Sequence, residues 1–242
     1  MSQSFGPLIA PLALGTALAL WPAAAAAPPP ALSLPKQIRP TERLKLEEVI
    51  DNAFVSTRME AEPYVGRPDV FEYLLDHPEF ATHMTRALRL ARYRVWHTSE
   101  GLFLDDGWGA KGHFEVVHSE PGVRVMLARG RFEQPLLPDI HGQAVIVMEY
   151  GFRPSDAGRT LVSTTITGYV RLNSRFLRIA GTLVGPIAQA KADREARQLL
   201  KVFARVTRAI EERPDEVSEK VRQWPDVSQP ELAEFLRLLN GC

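Results

Sequence analysis

The chain has 242 residues, 45% of them apolar, which is enough to bury a sizeable core in one domain and excludes disorder throughout. Twenty-nine basic and 29 acidic side chains give a formal charge of zero, so the totals offer no support for binding nucleic acid. Cys242 is the single cysteine, which excludes an internal disulfide and a cysteine metal cluster.

Residues Met1 to Ala27 carry no charged side chain, and PLIAPLALGTALALW followed by PAAAAA reads as a secretory signal cut near Ala25, placing the mature protein in the periplasm or outside the cell. The alternative is an uncleaved membrane anchor, since about 20 apolar residues span a bilayer. Pro7, Pro11 and Pro22 speak against a regular spanning helix. Residues 28–66 read as a proline-rich tether and an accessory helix, TERLKLEEVID, capped by Thr41 with Leu44, Val49 and Ile50 as its apolar face.

The main domain is expected over residues 67–213. A helix capped by Asp69 runs to His77-Pro78, and PEFATHMTRALRLA starts a second. About six strands follow: ARYRVWHT, GLFLDD, GHFEVVHS, VRVMLARGRFE, AVIVMEYGFRP and TLVSTTITGYVRL. Their separators, SEG, GWGAK, EPG, QPLLPDIHG and SDAG, are short turn or loop signals that predict hairpins and an antiparallel sheet.

One long helix comes next, notched at Gly185-Pro186 and running to Glu212. Leu199, Val202, Phe203, Val206, Ala209 and Ile210 form its apolar stripe, with Arg194, Arg197, Lys201, Arg205 and Arg208 on the other side. Residues 214–242 read as a polar tail with a last short helix, PELAEFLRLL.

The order of helix pair, strands and long helix, with DVFEYLLDHPEF before the first strand and the helix after GYVRLNSRF, resembles the START and polyketide-cyclase (SRPBCC) superfamily over roughly Arg67 to Glu212. The resemblance implies an α+β helix-grip fold, in which a curved antiparallel sheet holds the C-terminal helix. It also implies a cavity between them for a lipid, sterol, polyketide or other apolar molecule, with no catalytic set that transfers residue by residue.

GWGAKG (Gly107–Gly112) has the letters of a dinucleotide loop but precedes a strand, so it reads as a hairpin turn. His113 and Glu115 would share a strand face and His118 would point the other way, which leaves no shared metal. Glu149 sits in a strand apolar on both faces, and is expected either to pair with Arg129 or Arg131 or to orient a ligand.

Thr165, Thr167, Tyr169 and Arg171 share one face of the last strand. That face is either an outer surface or the polar anchor of a pocket. Trp96, Phe103 and Trp108 are candidate lining, or plain core. Phe176, Ile179 and Leu183 complete the expected binding set on the helical side. Arg171, Arg175 and Arg178 form either a solvated edge or a rim that meets a membrane surface.

No nucleophile–base pair, metal set or cofactor loop stands out. A carrier of a hydrophobic, lipid-like molecule therefore ranks ahead of an enzyme on a polyketide- or steroid-like substrate, and ahead of a membrane-associated interaction module. Nothing in the residues indicates an oligomeric state.

Overall fold

The computed structural model describes residues 33–134, 137–173 and 184–240. The expectations for Met1–Ala27, Arg175, Phe176, Arg178, Ile179, Leu183 and Cys242 lie outside these residues. No helix among the described residues is long and apolar enough to cross a membrane.

The chain is α+β, with eight strands in one open antiparallel sheet and a long C-terminal helix. Helix α1 (Pro40–Asp51) leads to β1 (Val55–Glu60) and β2 (Tyr64–Val65). Helices α2 (Pro68–Asp76) and α3 (Pro78–Ala87) follow, then β3 (Arg94–Thr98), β4 (Gly101–Asp105), β5 (Ala110–Glu120), β6 (Val123–Gln134), β7 (Leu137–Pro154) and β8 (Thr160–Leu172). Helices α4 (Val184–Glu212), α5 (Pro214–Arg222) and α6 (Gln229–Asn240) complete the order.

The sheet runs β1-β8-β7-β6-β5-β4-β3, with β2 also on β8. The six expected strands are thus joined by two from the stretch expected to be tether, where VSTRME alternates inward Val55, Thr57 and Met59 with Ser56, Arg58 and Glu60. QPLLPDIHG is likewise not a plain loop, because Phe132 and Ile140 pair and continue the β6–β7 hairpin.

Helix starts differ from the expected caps. Pro40 and Pro68 occupy first-turn positions, where a missing N–H costs nothing. Arg39 and Arg67 therefore become the N-caps in place of Thr41 and Asp69. On α1, Leu46 and Val49 are buried while Leu44 is 67% exposed, which corrects the expected apolar face.

Both sheet faces are covered in part. On one, Val125, Leu127, Val145, Val147 and Tyr169 meet Leu34, Ile38 and the α1 residues Leu46 and Val49. On the other, Met148, Tyr150, Val162 and Ile166 meet Phe71 of α2 and Ala196 and Leu200 of α4. Further along α4, Val202, Val206 and Ile210 pack with Phe80, Met84, Val217, Val221 and Phe235. Residues 214–240 therefore contribute to a core, with Phe235 fully buried 5.2 Å from the Phe80 ring.

Candidate functional site

Helix α4 packs on β1, β2 and β8 at one edge of the sheet, and α3 packs on β3 at the other. Gln189 Nε2 donates to the Ser56 carbonyl at 2.7 Å, whereas Lys191, two residues on, places Nζ 4.8 Å from the Phe132 ring of β6 and 3.6 Å from Asp106 after β4. Two side chains of one helix, two residues apart, thus contact β1 and, three strands away, β6.

The floor between them is built from small residues. Register aligns Gly112, Gly130 and Gly142 across β5, β6 and β7, with Leu104 at the end of the row. The next row reads Leu102, Phe114, Ala128, Ala144 and Val170. Beyond it lie Met126, Ile146 and Gly168. A Cβ on Gly130 would stand 2.3 Å from the Lys111 carbonyl oxygen, and one on Gly112 2.3 Å from that of Arg129. The strands close in there. Leu102, Leu104, Phe114, Met126 and Ile146 remain only partly buried, so they form the apolar sides of a trough.

One end of the trough is polar. Asp106 Oδ1 accepts the N–H groups of Trp108 and Ala110, which fixes the β4–β5 turn. Its other carboxylate oxygen is buried without a hydrogen bond, and the nearby Lys191 ammonium is 2.6 Å from Glu195. Burial, then the charges of Glu195 and Asp106, push the Tyr93 hydroxyl well above its ordinary pKa. Gly107 and Gly109 take positive φ in this turn, as expected for GWGAKG read as a hairpin.

The structure disperses the anticipated site residues. Thr165, Thr167, Tyr169, Arg171 and Glu149 share the sheet face opposite α4. Thr167 and Tyr169 are buried there, and Arg171 pairs with Glu48 of α1 at 2.6 Å. Glu149 is half-exposed and pairs with Arg58 at 3.2 Å, not with Arg129 or Arg131, which lie further along β6. Trp96 and Phe103 contact each other on this same face, ring centroids 4.9 Å apart. Trp108 is 45% exposed and meets Tyr93 edge-on beside the polar end.

His118 does not point away from His113 and Glu115. A bulge between Val116 and His118 shifts the register, so all three lie opposite alternate β6 residues Arg129, Leu127 and Val125. Among the described residues, no group of three His, Cys, Asp or Glu side chains can hold a metal.

The trough residues escaped the sequence reading because three glycines in separate strands become a row only once the register is known.

No protein-family model matches the chain, and no curated protein does. Among solved structures, the hypothetical protein jhp0584 from Helicobacter pylori is 14% identical with a TM-score of 0.36, covering 76% of this chain and 98% of that one. TTHA0849 from Thermus thermophilus is 15% identical with a TM-score of 0.29, covering 64% and 97%.

Proposed function

We propose that this is an exported carrier or receptor that holds an apolar, lipid-like molecule between the sheet and α4, in the manner of a START-like helix-grip protein. The observation that carries the reading is the floor of Gly112, Gly130, Gly142, Ala128 and Ala144 on the sheet face that α4 packs against, flanked by partly buried Leu102, Leu104, Phe114 and Met126. Apolar walls with a few polar groups at one end, here Asp106, Lys191 and Tyr93, are the usual make-up of a small-molecule site.

The test is native mass spectrometry and organic extraction of protein made from the full sequence and recovered from the exported fraction, with Nile red titration in parallel. A co-purifying apolar molecule, and at least tenfold weaker Nile red binding in Ala128→Leu/Ala144→Leu, are the expected results. An empty protein that binds neither Nile red nor a broad lipid extract would sink the reading, as would a filled variant that binds as tightly as the parent.

A further inference from the structure

The outer face of α4 carries an unpaired cationic ridge. Arg194, Arg197, Lys201, Arg205 and Arg208 are all exposed. At about 100° and 1.5 Å per residue they fall within an arc of about 80° and a length of about 21 Å. Among the described residues none of the five has an ion pair or a side-chain hydrogen bond. Other helical lysines here are matched, Lys191 by Glu195 and Lys220 by Glu216, both at 2.6 Å. A chain with zero formal charge thus concentrates uncompensated positive charge on one line.

At its C-terminal end the ridge runs into a hollow of about 330 Å³. Leu88, Leu90 and Ala209 give it apolar walls, while Arg205, Arg208, Arg213 and Lys220 outnumber the acid Glu212 around them. Arg213 and Lys220 also share Glu216. Arg89, between the two leucines, is exposed and has no ion pair among the described residues.

We propose that this ridge docks the protein on an anionic phospholipid surface, with headgroup phosphates along the arginines and one headgroup in the hollow. Charge complementarity favours a polyanion, and a straight row of exposed cations on a rigid helix suits a flat charged layer. Leucine walls under the cations suit an amphiphile, and the one aromatic ring of α4, Phe203, packs against the core, leaving the helix no stacking platform for bases. With no net charge on the whole chain, the attraction is short-ranged, acting within the roughly 8–10 Å over which salt leaves charges unscreened.

The experiment is co-sedimentation of the full chain with phosphatidylcholine vesicles containing 0% or about 30% phosphatidylserine, at low and high salt. The apolar N-terminal stretch would bind both vesicle types alike, so the ridge is read in the serine-dependent increment. That increment is expected to collapse at high salt. It is also expected to fall on the order of 100-fold in Arg197→Gln/Lys201→Gln/Arg205→Gln, at about fivefold per cation, with an unchanged melting temperature. Single substitutions should each lower it about fivefold, which keeps the test intact if the triple variant misfolds. Equal binding to both vesicles, or an increment that survives the substitutions, would overturn the proposal. Tight, substitution-sensitive binding to single-stranded RNA without vesicle binding would assign the ridge to nucleic acid instead.

Discussion

Arg124 of β6 lies 3.0 Å from Asp76 at the end of α2 and donates to the Tyr150 hydroxyl at 2.9 Å, so one guanidinium ties the helix pair to the sheet. The arginine side chain is 6% exposed and the aspartate 54%. Deleting the buried partner removes the donor to the Tyr150 hydroxyl and the Glu120 carbonyl, leaving them the longer contacts from the hydroxyl to Glu72 at 3.3 Å and to that carbonyl at 3.5 Å, whereas deleting the wet one leaves Arg124 its other acceptors. Arg124→Met is therefore expected to lower unfolding free energy by about 2–4 kcal/mol and Asp76→Asn by less than about 1 kcal/mol. Urea midpoints decide it, and equal losses would place the tie elsewhere.

The glycine floor makes a prediction with an internal control. A Cβ on Gly130 meets backbone at 2.3 Å, which cannot yield without separating strands. One on Gly168 meets a Thr57 methyl at 3.2 Å, which can give by a few tenths of an ångström. Gly130→Ala should cost about 2–4 kcal/mol and Gly168→Ala about 1 kcal/mol or less. Similar melting temperatures for the two would mean that the strands are not that close.

The contrast shows what could be read in advance. The alternation in TLVSTTITGYVRL and the stripe from Leu199 to Ile210 are local periodicities, so strand β8 and helix α4 were legible. So was the turn at GWGAKG, because glycine conformation is local. Which face of β8 looks toward α4 is not local. Both faces of β8 carry threonines, and the choice was made by Leu46 and Val49 of α1 covering Tyr169. The bulge at Val116 reversed His118 for a similar reason, since one extra residue in β5 inverts every later orientation. The two early strands were short and followed a helix, so their pairing with β8 supplied the evidence that their length did not.

His83 gives a pH prediction. Burial holds its pKa below the ordinary 6.5, outweighing Glu79 and Asp226, which pull it upward. The folded form thus keeps a neutral imidazole while the unfolded chain takes the proton more readily. The stability tied to that neutral ring is fully present above about pH 6.5 and is lost as the pH falls through that value toward the folded pKa. The advantage of the parent over His83→Gln in melting temperature should shrink between pH 7.5 and pH 5. Asp69 and Asp105 do not confuse this window. For each, burial works to raise the pKa, but hydrogen bonds from arginine and backbone N–H groups prevail and hold it below its ordinary 3.8. Parallel curves for parent and variant would show that His83 titrates alike in both states.

Glu149 separates the two faces of the sheet as binding surfaces. Its ion pair with Arg58 has side chains 43% and 48% exposed, and Arg58 keeps a second contact at 2.9 Å to Thr167 Oγ1. Solvent screens such a pair, so Glu149→Gln should change stability by less than about 0.5 kcal/mol. Glu149 also lies on the far side of the sheet from Ile146 and Met148, which face α4. A ligand in the trough cannot touch it, so affinity for Nile red or an extracted lipid should stay within about twofold while Ala128→Leu/Ala144→Leu weakens binding at least tenfold. The opposite pattern, with Glu149→Gln weakening binding and the filled trough leaving it intact, would move the ligand to the α1 side. There Arg58, Thr167 and Arg171 are the polar groups within reach, and α1 would have to lift from Tyr169 to admit it.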